Sequence, residues 1–373
     1  MIGILEGVVT IVLFFLILGL LVLIHELGHF VVARLARVRV LEFGIGFPPR
    51  AKVLRASGET LYTLNWLPIG GFVKLEGEDG DAKGDPRSFS AQSLPVRLLI
   101  LVSGVVMNLV LAFAIFAAIT WLASPYMGLR FHEVQPDSPA ATAGLKPGEA
   151  LVAVDGQRFQ FMTGPDILEG LRSRAGQTVV LTVDGIDGSR REVGVTLRSQ
   201  SAVEANQGAL GISQQNRSWE GYFDGATTTN DLPTAIRVGL NQTARWTGLI
   251  VGGLGDLIGR IAADPTAPPP VAGPIGIASQ IGDVFFDAGP IMTLFVAGIL
   301  SANLAVVNIL PFPPLDGGRM LMITLKRIFG TRISLRAEQL TYLVGFVFLF
   351  AFIIWVSGFD LVRTFGGGTP ATP

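Results

Sequence analysis

The sequence predicts a polytopic α-helical membrane protein: four transmembrane helices, a membrane-associated β-hairpin region and one inserted α+β domain. Three observations predict it. Half of the 373 residues are hydrophobic and 15% are charged, against roughly 25% charged in an ordinary soluble domain. Four apolar stretches reach the ~20 residues needed to cross a bilayer as a helix. Between them lie short alternating segments with turn signals, the pattern of β-structure.

The first stretch runs uncharged from Gly7 to Ile24 and continues helically through HELGHFVVA. It lacks a basic n-region and a small-residue cleavage site, so it reads as a retained span and not a signal peptide. The second begins near Leu98 and passes Trp121, the third lies between Asp287 and Asp316, and the fourth is Leu340 to Phe359. Ten Lys or Arg lie between Arg34 and Arg97, and five with no acid between Gly317 and Arg336. By the positive-inside rule these two loops are cytoplasmic and both termini lie outside.

The expected layout is therefore 1–36 for the first span with its polar end, 37–97 for the β region and 98–124 for the second span. The inserted domain takes 127–200, and 201–288 is read as extracytoplasmic, interfacial amphipathic helices. The third span is 289–316, the basic loop 317–338, the fourth span 339–359 and the tail 360–373. Net charge is −1, so nothing draws the chain to nucleic acid.

In the β region, VLEFGIG, AKVLRA, TLYTLNW and GGFVKLEG read as short strands with turns at Pro48-Pro49, Ser57-Gly58 and Gly70-Gly71. An apolar face suggests a hairpin dipping into the membrane, where an edge strand meets an unfolded substrate segment through Gly71 and Phe72. The same pattern also fits a plain connecting sheet. Residues 76 to 90 read as a mobile polar loop. In the inserted domain, SPAATAGLKPGEALVAVDG resembles a PDZ domain of the bacterial protease type, in one copy. PDZ domains add an extended peptide to a sheet edge, so a peptide or substrate tail is the expected partner; a spacer role is the alternative.

Chemistry concentrates in His25-Glu26-Leu27-Gly28-His29. Residues i and i+4 share a helix face, so both imidazoles reach one zinc ion, and Glu26 is placed to take a proton from water. The chain has three histidines and no cysteine, so thiolate sites and disulfides are excluded. A catalytic zinc takes three protein ligands. His132 falls on the far side of the membrane, which leaves a carboxylate. Asp316, at the cytoplasmic end of the third span, is the strongest candidate; Glu42 and Glu76 are weaker ones. The run Asn308-Ile-Leu-Pro-Phe-Pro-Pro-Leu-Asp316 puts three prolines at membrane depth, where broken backbone is tolerated only if buried or lining a cavity. Asn108, in SGVVMN, either orients a substrate carbonyl or ties two helices by a hydrogen bond.

HELGHF and NILPFPPLDGG, in the first and third of four spans, resemble the two motifs of the site-2 protease family of intramembrane zinc metalloproteases. GGFVKL, SGVVMN, VAGPIGIA and the PDZ-like insert resemble its bacterial regulator-of-sigma-E protease branch. The resemblance covers almost the whole chain. It implies zinc held by His25, His29 and Asp316, with Glu26 as catalytic base. It also implies a substrate cleft shaped by Asn308, Pro311 and Pro313. The implied substrates are single-pass membrane proteins of the anti-sigma-factor or signal-peptide-remnant type. The implied place is the bacterial inner membrane, with the lipid bilayer as surroundings. The best-known branch members carry a tandem PDZ; this chain carries one. Other readings of the same features are a non-catalytic PDZ scaffold, a zinc-binding transporter, and a protease of soluble peptides at the membrane surface.

Overall fold

The structure, a computed structural model, describes residues 2–78, 85–162, 167–205, 208–212, 219–228, 231–264, 268–330 and 334–365. Of the polar loop expected at 76–90, residues 79–84 lie outside the described residues, as do residues 366–373 of the tail expected at 360–373. The chain forms two compact units. One comprises Met1–Ile115, Leu240–Phe286 and Thr293–Pro373, the other Phe116–Gly239 and Asp287–Met292.

Among the described residues four helices are long and apolar enough to cross a membrane: α1 (Ile2–Leu35), α2 (Leu94–Leu122), α7 (Pro274–Ile309) and α9 (Leu335–Phe365), with α3 (Pro139–Thr142), α4 (Ile167–Arg172), α5 (Gln200–Glu204) and α6 (Leu232–Ala263) between the second and the third. Large apolar side chains stand exposed along α1 (Ile4, Leu5, Val8, Ile11, Val12, Leu16) and along α9 (Leu343, Val344, Phe346, Val347, Phe350). Water does not tolerate apolar stripes of that extent; lipid does. The chain is a multi-pass membrane protein.

Several span boundaries differ from expectation. The third span starts at Pro274, not at 289, because Pro290 kinks the helix without ending it. Gly289 absorbs the bend with a φ of 77°, which a residue with a Cβ adopts at a cost. The fourth helix runs past Phe359, and Asp360 is 2% exposed. Asp360 Oδ2 accepts a hydrogen bond from Gly276 N at 2.9 Å, in the first turn of α7. A carboxylate there meets the positive end of the helix dipole.

Between α1 and α2 the expected short strands are two long, bent ones, β1 (Val40–Ser57) and β2 (Thr60–Leu75). Gly46 and Gly70, both at positive φ, bend the strands without breaking them. The first half of β1 pairs on both sides: Phe43 with Tyr62 and with Val73, and Ile45 with Leu64 and with Gly71. The last segment of β2, Gly71 to Leu75, thus forms one edge. The sheet is held to the helices by a core of Ala33, Val38, Val40, Leu75, Phe89, Ile100, Leu101 and Ile323. Ile45, Phe47, Val53, Leu54, Leu64 and Trp66 are exposed on it.

The second unit is built on an antiparallel sheet of order β7-β6-β4-β3-β8, with β5 on β4. The strands are β3 (Ser124–Phe131), β4 (Ala150–Val154), β5 (Gln157–Arg158), β6 (Thr178–Asp184), β7 (Arg190–Thr196) and β8 (Trp219–Thr227). Its core is Leu129, Phe131, Leu151, Val154, Leu181 and Val183, among others. The VDG run makes the β4–β5 turn, with Asp155 and Gly156 at positive φ. β8 lies beyond the expected 127–200 range. Its partner is β3, from Ser124 on, nearly a hundred positions earlier, and pairing at that distance leaves no local pattern.

Candidate active site

The site begins where α1 and α2 touch. A Cβ on Gly28 would stand 2.4 Å from the carbonyl oxygen of Ser103, and one on Gly104 would stand 2.6 Å from both His25 Cε1 and His29 Nε2. Two glycines, one from each helix, thus let the backbones close and leave room for the imidazoles. His25 and His29 are 5% and 8% exposed. His29 Nδ1 lies 2.8 Å from the Ile100 carbonyl oxygen. A carbonyl only accepts, so the ring carries its proton on Nδ1 and presents the Nε2 lone pair inward.

Asp316 reaches the same point from α8 (Asp316–Phe329), of which it is the first residue. The span before it ends at Ile309, not at 316. Proline has no N–H to continue a helix, so Pro311, Pro313 and Pro314 carry the chain through a non-helical turn. The turn folds tightly: a Cβ on Gly317 would meet the Ile309 carbonyl oxygen at 2.1 Å, and one on Gly318 would meet that of Phe312 at 2.6 Å. This explains the two glycines after Asp316.

Asp316 Oδ2 lies 2.9 Å from His25 Nε2 and 3.3 Å from His29 Nε2, and the two Nε2 atoms are 3.1 Å apart. Donors at 2.0–2.1 Å from a tetrahedral zinc stand about 3.3 Å from one another. Two imidazoles and a carboxylate at these separations fit that ion, and among the described residues this trio is the group that could hold a metal. Glu42 and Glu76 are placed elsewhere: Glu42 bonds Arg50 at 2.6 Å and Thr63 at 2.7 Å, and Glu76 bonds Arg39 at 2.8 Å. His132 belongs to the other unit.

Glu26 Oε2 accepts a hydrogen bond from the backbone N–H of Val73 at 3.0 Å. Val73 sits in the edge segment of β2, between Phe72 and Lys74, so the edge expected from GGFVKL faces the glutamate of the motif. Gly71 is buried and packs on Gly44; Phe72 is half-buried. Asn308, half-buried, closes α7 one residue before its end, and Pro311 is exposed in the turn. Asn108 is fully buried, with its amide 3.2 Å from His25 Nδ1. This bond joins α2 to α1, and the Asn108 carbonyl accepts from Ser301 Oγ on α7 at 2.8 Å. Gly104, Val73 and the Ile100 carbonyl were invisible as site components in sequence, because each acts through backbone or through the absence of a side chain.

Four apolar helices around two imidazoles and a carboxylate define a membrane-embedded metal-dependent hydrolase. The model of Peptidase family M50 matches residues 13–352. The chain belongs to that family, the site-2 proteases, and is a membrane zinc metalloprotease. It is 27% identical to zinc metalloprotease RasP of Geobacillus kaustophilus, over 96% of this chain and 99% of that one. It is 32% identical to a protein of Clostridium perfringens provisionally named a zinc metalloprotease, over 92% and 95%.

Proposed function

We propose that the chain is an intramembrane endopeptidase that cuts single-pass membrane proteins, of the anti-sigma-factor or signal-peptide-remnant type, in or beside their transmembrane helix. His25, His29 and Asp316 hold the zinc and Glu26 is the catalytic base. The observation that carries this reading is the edge of β2 bonded to Glu26 beside a zinc-sized donor triangle.

Zinc, when bound, polarises the scissile carbonyl and lowers the pKa of a water toward ~7. A helix in lipid hides its peptide bonds, since each carbonyl is already bonded. The substrate must unwind, and the Gly71–Leu75 edge offers the backbone groups with which an unwound segment pairs as an added strand. When substrate takes the Val73 N–H, Glu26 is released from it. Its carboxylate then accepts a proton from the attacking water as the C–O bond forms. It passes that proton to the leaving amine as the C–N bond breaks. Asn308, Pro311 and Pro313 shape the cleft beside Asp316. Phe72 supplies apolar contact to the added strand.

The second unit is a single PDZ domain that binds a peptide or substrate tail and gates access. The basic segments 37–97 and 317–338 are cytoplasmic and the PDZ extracytoplasmic, in a bacterial inner membrane. The chain has no cysteine, so orientation is read directly from single cysteines at Arg55 and at Arg172. An impermeant maleimide should label only Arg172→Cys from outside, and the reverse pattern overturns the orientation. Cleavage that survives deletion of 127–200 with unchanged substrate choice would remove the gating role.

The deciding experiment compares the intact chain with Glu26→Gln in detergent, measuring zinc content and cleavage of a model single-pass substrate. Near one zinc per chain in both, with cleavage only in the intact form, is expected. Equal processing by both would overturn the assignment.

A further inference from the structure

We infer that the end of the membrane unit nearest α8 carries a binding site for the phosphate headgroup of an anionic phospholipid. This goes beyond the protease reading and does not depend on it.

A cavity of about 1170 Å³ lies between the first turn of α2, the face of α8 and the first turns of α9. Four cations line it, Arg97, Arg319, Lys326 and Arg327, against two carboxylates, Glu78 and Glu338. Both carboxylates are already engaged. Glu78 pairs with Arg319, and Glu338 pairs with Lys326. Arg97 and Arg327 have no carboxylate at ion-pair distance among the described residues. Glu338 also acts on Arg97 through space, but among the described residues the four cations outnumber the two carboxylates, so the cavity carries an excess of positive charge.

Arg97 is the more telling. It is half-buried, its guanidinium lies 5.1 Å from the centre of the Phe89 ring, and its Nε is buried without an acceptor. A half-buried guanidinium whose Nε is left short of an acceptor favours an anion that brings oxygens to it. The α2 helix starts at this cavity, with Leu94 and Pro95 in its wall. The positive end of its dipole adds to the same preference.

The position selects the kind of anion. Leu99 on α2 and Leu340 and Leu343 on α9 are all exposed. They lie within about two turns of the cavity-lining residues of the same helices, on spans that face lipid. The cavity thus sits where hydrocarbon gives way to headgroups. A phosphodiester placed there between Arg97 and Arg327 leaves its acyl chains beside those leucines, the usual arrangement of a basic pocket between spans. A free phosphate shares the charge chemistry but makes no use of the apolar flank.

The test uses full-length protein delipidated in neutral detergent and titrated separately with phosphatidylglycerol, phosphatidylcholine and inorganic phosphate. Retained lipid is read by native mass spectrometry and stability by thermal shift. Phosphatidylglycerol should be retained near one per chain and raise the melting temperature, and the other two should not. The double variant Arg97→Ala, Arg327→Ala should weaken that retention roughly tenfold or more. Arg97→Lys with Arg327→Lys should keep part of it. Zinc content reports that each variant is folded. Equal retention by the intact chain and a zinc-loaded double alanine variant would overturn the site. Equal binding of phosphatidylcholine would overturn the charge argument. The same shift with inorganic phosphate alone would overturn the lipid assignment in favour of a soluble anion.

Discussion

The side-chain amide of Asn108 meets Nδ1 of His25 at 3.2 Å, and the Oδ1 of the same amide is buried with no donor. A neutral imidazole that gives its Nε2 lone pair to a metal carries its proton on Nδ1 and donates from there. The amide oxygen is the acceptor within reach, so zinc ligation by His25 requires that Asn108 turn Oδ1 to the ring. The backbone carbonyl of Asn108 is itself pinned by Ser301 Oγ at 2.8 Å, which fixes the residue's place between spans. Asn108→Leu should then weaken zinc retention about 10- to 100-fold against a chelator competitor. Asn108→Asp, which keeps the acceptor, should hold zinc as well as the intact chain. Equal zinc affinity in the leucine variant would end the argument.

Gly104 should tolerate no side chain. Its Cβ would lie 2.7 Å from His25 Nε2, the atom aimed at Asp316. A methyl group there displaces the ligand nitrogens without removing a ligand. Gly104→Ala should lose most of its zinc, at a stability cost of about 1–3 kcal/mol from overpacking. Metal analysis of the detergent-purified variant checks this, with thermal melting as the control for folding.

Val73→Pro removes the N–H that Glu26 holds and that an added substrate strand would need. Zinc should remain near one per chain, while cleavage of a single-pass substrate falls at least tenfold. A soluble unfolded peptide that binds without strand addition should lose less. Undiminished membrane-substrate cleavage would sink strand addition.

In the second unit, Arg190 faces Asp184 across the β6–β7 ladder and donates to it twice, at 2.6 and 2.8 Å. These bonds hold the Asp184 carboxyl below its ordinary pKa of 3.8. A depressed carboxylate pKa contributes stability at pH values above the unfolded-state value and loses it as pH falls through the folded one. Arg190→Met should therefore cost about 0.5–1 kcal/mol at pH 7, the range of a partly exposed pair, and the difference should be smaller at a pH below the ordinary value of 3.8. Urea unfolding of both forms at the two pH values measures it.

The chemistry was legible in sequence because it sits in residue types that a membrane span rarely carries. His25, Glu26 and His29 stand out as candidates by helical spacing alone, and Asp316 by following three prolines at the end of an apolar stretch. The four spans were legible because hydrocarbon thickness demands about 20 apolar residues in each. Their ends were less so. Asp287 reads as the border of the third span, yet the helix runs through it and kinks at Pro290, where Gly289 takes the strain, and Asp360 reads as tail until its bond to the first turn of α7 is seen.

Residue types and spacing were thus enough for the family, the spans and the ligand candidates. The tertiary structure decided which carboxylate joins the histidines: Asp316 is at 2.9 Å from His25 Nε2, while Glu42 and Glu76 pair with arginines. It also decided that Asn108 serves His25, that Gly104 leaves the space for both rings and that β2 turns its edge to Glu26. The physical reason is common to all of these. Identity and period are local properties of the chain, whereas the approach of two backbones, the direction of one N–H and the partner of one amide arise only when segments far apart in sequence pack together.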